Sequence, residues 1–199
     1  MPVNHTQFDA AYYQRFYENP RTRVTTPAER ANQLALAIAV LRHQQVAVKR
    51  ILDAGCGLGY ARKSLLRAFP RATYTGLEVS EYLCRKYGWI QSSVVDYRDR
   101  SRYDFVICSD VVQYLSDRDA ARAINALARL CRGVLYFHTP TREDLEELVD
   151  EAGSDTNVHF RPAEWYRVRL RKHFRHLGYG LHLVRNIEPR QWALEQARP

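Results

Sequence analysis

The sequence is poor in the features that staple, anchor or address a chain. It holds four cysteines, Cys56, Cys84, Cys108 and Cys131, with no C-x-x-C pair among them. Such spacing suits neither a zinc site nor a disulfide framework and predicts buried, reduced thiols. No apolar run approaches the ~20 residues of a membrane span. The segment Met1–Gln7 has neither a basic flank nor an apolar stretch, so no signal peptide is expected and the cytoplasm is the expected location. Lysine is scarce: Lys49, Lys63, Lys86 and Lys172 stand beside 26 arginines in a chain of net charge +8. A nucleic-acid partner draws on both basic types, so the arginine excess also reads as genome composition. The charge leaves a polyanionic partner permitted but not favoured. Repeats, low-complexity tracts and Gly/Ser linkers are absent, and 199 residues read as one domain.

What is there is an alternation of strands and helices. Asp9–Asn19 reads as a short aromatic helix stopped by Pro20, and Arg21–Thr25 as a loop. Thr26-Pro27-Ala28-Glu29 is a helix start with a capping box, followed by Ala31, Leu34, Ile38 and Leu41 at helical spacing as far as about Gln45. Strands are expected at Arg50–Ala54, Ala72–Leu77, Ser92–Val95, Tyr103–Cys108 and Val134–His138. Helices are expected at Tyr60–Phe69, from Ser80 to Gly88, and at Asp117–Arg132 with Gly133 as its stop. The alternation predicts an α/β fold with a doubly wound, mostly parallel sheet and helices on both faces. Beyond Pro140 we expect an acidic helix over Thr141–Ala152, a loop over Gly153–Arg161, and a helix over Ala163–Leu177 burying Tyr166, Leu170, Phe174 and Leu177. A closing pair of strands is expected at Gly180–Arg185 and Gln191–Glu195. The whole divides into an N-terminal helical cap (1–46), a core (47–140) and a substrate-facing segment (141–199).

The chemistry concentrates at the strand ends. Ile51-Leu52-Asp53-Ala54-Gly55-Cys56-Gly57-Leu58-Gly59 follows a strand and opens a helix, and glycines there let a ligand lie against bare main chain. Glu78, 19 residues after Gly59, ends the second strand, where a carboxylate can accept both hydroxyl protons of a ribose. Asp96 ends the third strand, where it can meet an adenine amino group, and Asp110 follows the fourth. Each acid alone could be a cap or a solvated loop residue. Four in register with one glycine turn mark the ligand edge of an open parallel sheet. Counting from Gly55, the sixth position of a dinucleotide fingerprint is Tyr60, too large for close helix–strand packing. Asp53 beside the turn suits a cationic ammonium better than a pyrophosphate. The pattern favours an adenosyl amino acid over NAD, and no G-x-x-x-x-G-K-[ST] loop is present.

These residues resemble the class I S-adenosylmethionine-dependent methyltransferases. The similar pieces are Leu52–Gly59, Gly76-Leu77-Glu78-Val79-Ser80, Val94-Val95-Asp96-Tyr97 and Tyr103–Leu115, covering roughly residues 48–140. The resemblance implies a seven-stranded sheet whose last strand is antiparallel, with S-adenosyl-L-methionine as cofactor. It implies that Gly55, Gly57 and Gly59 line the methionyl part, that Glu78 holds the ribose, that Asp96 and Tyr97 flank the adenine, and that Asp110 and Val111 lie beside the cofactor near the transfer site. Asp53, Cys56 and Val79 complete the candidate cofactor-binding set. One departure is Gln113, where many small-molecule members carry His; Gln cannot serve as a base near neutral pH.

Methyl transfer needs an in-line acceptor and little else, with a base only where the acceptor must lose a proton early. His138, at the end of the fifth strand, is the candidate base, against a plain structural role; Tyr114 is a weaker one. The N-terminal Tyr12, Tyr13, Phe16 and Tyr17 read either as core or as an aromatic lid over the sulfonium. Tyr13, Tyr17, Gln113, Tyr114, His138 and Trp165 are the candidate acceptor-side residues, with Asn157–Arg161 beside them. No metal site is expected. Between Arg161 and Arg185, Arg167, Arg171 and Arg175 recur at i, i+4, i+8, as a solvated stripe or a phosphate track for RNA. A small-molecule methyltransferase is the favoured reading. An RNA or protein methyltransferase and a non-catalytic cofactor-binding module stand as alternatives. The sequence carries no argument about oligomeric state.

Overall fold

The computed structural model describes residues 8–21, 26–147, 158–192 and 194–195. A seven-stranded sheet runs through it in the order β3-β2-β1-β4-β5-β7-β6. Strands β1 (Arg50–Ala54), β2 (Thr73–Glu78), β3 (Ile90–Gln91), β4 (Tyr103–Ser109) and β5 (Cys131–His138) are parallel. The hairpin β6 (Phe174–Gly178) and β7 (Leu181–Val184) adds antiparallel through β7 against β5. Central strands β1 and β4 are almost continuously buried, as expected of parallel strands covered on both faces.

Helices cover both faces. On one, α5 (Asp117–Leu130) and α7 (Ala163–Leu170) pack Ala123, Ile124, Leu127, Tyr166 and Leu170 against Leu52, Val106 and Leu135. On the other, α2 (Pro27–His43) and α3 (Tyr60–Ala68) pack Leu34, Leu41, Ala61 and Leu65 against Ile51, Phe105 and Val134. Each start has its chemistry. Thr26 and Glu29 form the expected capping box, with Glu29 N–H donating to Thr26 Oγ1 at 3.1 Å and Thr26 N–H to Glu29 Oε2 at 2.7 Å. Ser80 accepts from Leu83 N–H to open α4 (Glu81–Tyr87), and left-handed Gly88 ends it. The N-terminal segment is a short α1 (Ala10–Tyr13), capped by Asp9, that widens into a π-turn over Gln14–Glu18.

Four expectations need correction. The third strand is Ile90–Gln91, not Ser92–Val95; there Val95 N–H bonds Ser93 Oγ and Asp96 N–H bonds Ser93 O, so turn chemistry wins. Gly133 does not stop a helix: α5 ends at Leu130 and β5 begins at once. Gly133 sits in β5 where a Cβ would meet Asp104 O at 2.2 Å, so bare backbone permits a close approach at an irregular step in the pairing. The helix over Ala163–Leu177 ends at Leu170, and Phe174 and Leu177 stay buried as strand residues. The closing pair is therefore β6 with β7, and Gln191–Glu195 forms no strand among its described residues. The two-residue link Tyr179-Gly180 has both φ positive, the hand that matches strand twist. An acidic helix α6 spans Arg142–Glu147; its expected continuation and most of the expected loop, with Asn157, lie outside the described residues.

Arg161 is 4% exposed and ties three elements together. It donates to Asp117 Oδ1 at 2.8 Å, to Val112 O at 3.2 Å, to Tyr166 Oη at 3.1 Å and to Leu115 O. Trp165 covers its guanidinium at 4.9 Å. The turn after β4 is thereby fixed to α5 and α7. An Arg161→Met variant removes this donor from the Leu115 carbonyl and the Tyr166 hydroxyl and should lose about 2–4 kcal/mol of stability. Chemical denaturation measures this, and a loss below about 1 kcal/mol would show the turn to be held by other contacts.

Candidate active site

The carboxyl ends of β1, β2 and β4 open into a cavity of about 130 Å³ that α2 and the N-terminal aromatic segment wall off. Its floor is the turn after β1. Gly55 has φ +79°, and a Cβ there would stand 2.2 Å from Val111 Cγ2, so only glycine lets the turn after β4 close on this one. Gly57 (φ +50°) borders open space. Both, with Cys56, line the cavity. Gly59 does not: its φ of +73° opens α3, and the Trp89 ring lies 2.6 Å from where its Cβ would be.

Three carboxylates face the cavity. Glu78 is buried and ties two turns together, accepting from Gly57 N–H at 2.9 Å, Val79 N–H at 2.8 Å and Ser80 N–H at 3.0 Å. Tyr13 Oη reaches it at 3.4 Å. Asp53 is buried at the end of β1; burial pushes its pKa up to about 6, against the Tyr74 hydroxyl that donates to Oδ2 at 2.6 Å. Asp110, a non-glycine residue at φ +59°, binds three neighbours. Arg30 and Ser109 Oγ meet its Oδ2 at 2.8 and 3.0 Å, and His138 Nδ1 meets Oδ1 at 3.1 Å. Burial pushes Asp110 up, but the His138 bond and the His138 and Arg30 charges overcome it and hold the carboxyl well below its usual range.

Arg30 is the charged cavity residue that sequence reasoning missed, as it missed Phe8, Tyr136, Ser92 and Ser93 in the same wall. It projects from the second turn of α2, bonds Ser109 Oγ at 2.7 Å as well as Asp110, and is the one basic side chain in the described cavity wall. Helical spacing from the capping box fixes where Arg30 points, but nothing local marks what lies opposite. The aromatic wall comprises Phe8, Tyr12, Tyr13, Tyr17, Tyr60, Tyr114 and Tyr136. Tyr12 and Tyr114 hydroxyls meet at 2.8 Å, and Tyr13 is a core residue as well as a wall residue. Burial raises Tyr13 and Tyr17 above the ordinary phenol range, so both are neutral hydrogen-bonding groups at neutral pH.

The structure brings Asp53, Gly55, Cys56, Gly57, Glu78, Val79, Asp110, Val111, Tyr13, Tyr17 and Tyr114 to this cavity and leaves other expected residues outside its wall. Asp96 is 69% exposed and pairs with Arg122 at 3.5 Å. Tyr97 turns to the Tyr103 hydroxyl at 3.0 Å. Ser92, Ser93 and Val94 line that end instead. Gln113 is buried and accepts from Thr139 Oγ1 at 3.0 Å, so it braces a turn. Trp165 packs on the core and covers Arg161 and Arg169. His138 stands half-exposed behind Asp110. All four cysteines are unpaired and buried.

The basic stripe also changes. Since α7 ends at Leu170, Arg167, Arg171 and Arg175 do not share a helix face; Arg171 pairs with Glu164 and Arg175 with Glu188. No helix among the described residues is long and apolar enough to cross a membrane.

The Asp110 bond raises the His138 pKa against the opposing effect of burial. A group raised in the folded state adds stability below its unfolded pKa of ~6.5 and loses it as pH rises through the folded value. The stability gap between wild type and His138→Asn should therefore be widest below about pH 6.5 and shrink as pH rises above it in denaturant titrations. A gap that does not change with pH would show that the imidazole is not charged beside Asp110.

A family model described as a methyltransferase domain matches residues 27–184. The ubiquinone biosynthesis O-methyltransferase of Vibrio atlanticus is 26% identical over 78% of this chain and 76% of its own length. Its Yersinia pestis namesake is 26% identical over 69% and 66%. Among solved structures, the magnesium protoporphyrin IX methyltransferase of Synechocystis PCC 6803 superposes with a TM-score of 0.61 at 16% identity, covering 90% of this chain and 92% of that one. The sugar N-methyltransferase KedS8 of Streptoalloteichus superposes with 0.61 at 19% identity, covering 83% and 90%. The chain belongs to the methyltransferase-domain family, and its seven-stranded fold is that of the class I S-adenosylmethionine-dependent enzymes.

Proposed function

We propose that this protein transfers a methyl group from S-adenosylmethionine to a small-molecule acceptor in the cavity at the ends of β1, β2 and β4. The observation that carries the reading is the convergence of Glu78, Asp53 and the Gly55–Gly57 turn on one enclosed space. The donor set suits the donor's two ends: Glu78 for a vicinal diol, Asp53 for an ammonium group, and Arg30 for a carboxylate. Ser92, Ser93 and Val94 would take the adenine edge, and Asp96 and Tyr97 would reach it only after the turn that carries them moves.

When bound, the donor supplies a methyl group already activated on a sulfonium. The chain's own work is to position and exclude. Val111, seated on Gly55, closes the floor. The tyrosine wall offers neutral oxygens and ring faces, which suit a sulfonium and an aromatic or otherwise apolar acceptor. The curated relatives named above carry O-methyltransferase in their names, and the structural neighbours methylate a porphyrin and a sugar by theirs; these favour a small acceptor. His138 is the candidate base. It stands behind Asp110, outside the cavity wall, so this role requires an acceptor that extends past Asp110; its Nδ1 is held at Asp110, which leaves Nε2 to accept a proton once the imidazole is neutral.

The reading is tested with purified protein, methyl-labelled donor and fractionated metabolite extract. Label should enter small molecules, and the demethylated product should accumulate. Transfer into macromolecules, or no binding of donor and product at millimolar level, overturns it. Glu78→Gln should weaken donor binding roughly 10-fold or more by calorimetry, because a charge-assisted diol contact is lost. Once the acceptor is known, His138→Ala should lower kcat by about 100-fold with donor affinity kept. A fall of less than about tenfold would leave His138 a structural partner of Asp110.

A further inference from the structure

Behind the cavity floor lies a second tier of aromatic residues that do not line the cavity. Tyr74 stands on β2 and sends its hydroxyl to Asp53 Oδ2 at 2.6 Å. The register explains the reach. Asp53 pairs with Gly76, and Tyr74 lies two residues earlier on the same face of β2, a diagonal distance that a long aromatic side chain spans. Gly76 leaves the space open: a Cβ there would lie 2.8 Å from both Cys56 Sγ and the Trp89 ring. Trp89 fills that space, lies 6.0 Å from Tyr74 between ring centres, and donates through Nε1 to Gly57 O at 3.0 Å. One aromatic pair thus reaches two parts of the floor, Trp89 the glycine turn and Tyr74 the carboxylate.

Asp53 needs such a partner. It is 4% exposed, and Tyr74 supplies the one hydrogen bond that its carboxyl takes from a side chain among the described residues. Arg30 on α2 faces it across the cavity. Glu78 on β2, Cys56 in the floor turn and Cys108 on β4 lie near enough to feel its charge, and none of these three is a cation. Removing the hydroxyl would leave a buried carboxylate with the Arg30 charge, to which it has no hydrogen bond, to favour ionisation.

We propose that Tyr74 is a positioning residue that keeps Asp53 ionised and aimed into the cavity, and so sets the pH range over which the protein grips the ammonium end of its methyl donor. This rests on the donor assignment above. Burial already lifts Asp53 to about 6, close to working pH, so loss of one hydrogen bond carries its titration into the neutral range.

The test compares wild type, Tyr74→Phe and Asp53→Asn in calorimetric titrations with S-adenosylmethionine and with 5′-methylthioadenosine, which lacks the amino acid. The affinity ratio of wild type to Tyr74→Phe for the full donor should be about 10 near neutral pH and fall below about 2 near pH 8.5, as Asp53 ionises in both proteins. Ionisation of the donor's own amine cancels in that ratio. The truncated nucleoside should bind both alike. Adding Tyr74→Phe to Asp53→Asn should cost nothing further. A ratio that stays constant with pH, or an equal loss for the truncated nucleoside, makes Tyr74 a packing residue and overturns the proposal. Carbon-detected NMR titration of the Asp53 carboxyl without donor gives an independent reading: the midpoint should rise by about two units in Tyr74→Phe, the shift that the tenfold ratio requires. An unchanged midpoint, or a Tyr74→Phe chain that does not fold, rejects the tuning role. Failure of wild type to bind any donor, with a shifted Asp53 midpoint, overturns the donor assignment while leaving the Tyr74–Asp53 coupling in place.

Discussion

Three carboxylates share one rim of the sheet, and the donors that bind them organise everything around them. Asp110 draws Arg30 from α2, Ser109 from β4 and His138 from β5 to a single point. Glu78 draws the backbone of two turns, at Gly57 and at Val79–Ser80. Asp53 takes a phenol from the neighbouring strand. Burying a charge without partners costs several kcal/mol, so these contacts are conditions for the rim to exist at all. Each also fixes a strand end or turn against another.

The glycine turn works by the complementary device, the removal of atoms. Val111 occupies the place of a Gly55 side chain, and Trp89 and Cys56 occupy the place of one at Gly76. The floor is therefore a packed layer with bare backbone on its cavity side. Behind it, Arg161 performs for the turn after β4 what Glu78 performs for the turn after β1: a buried ionic group gathers the backbone of a turn, carbonyls in the case of Arg161 and N–H groups in the case of Glu78.

The legible elements were those whose signals are local. The strand Arg50–Ala54, the cap at Thr26 and the Ser80–Gly88 helix stand where the sequence places them, because each depends on side chains within a few residues. Phe174 and Leu177 misled, since i, i+4 and i+3 spacing buries the same residues on a helix face that β6 buries against β7. Only the left-handed pair at Tyr179-Gly180 and the long-range pairing decide between them. Ser92–Val95 misled for the opposite reason: a two-residue edge strand carries little pattern, and Ser93 folds its own turn.

By itself the sequence determined the order of elements, the glycine turn and the acidic strand ends, because spacing along one chain fixes which residues leave a strand together. The tertiary structure alone decided which of those acids face one cavity. Asp96 turns out to Arg122 and Gln113 turns in to Thr139, while Arg30 and Tyr74, silent in the sequence, reach Asp110 and Asp53 from elements 80 and 21 residues away. A side chain's partner depends on what the fold carries opposite it, and no local spacing encodes that.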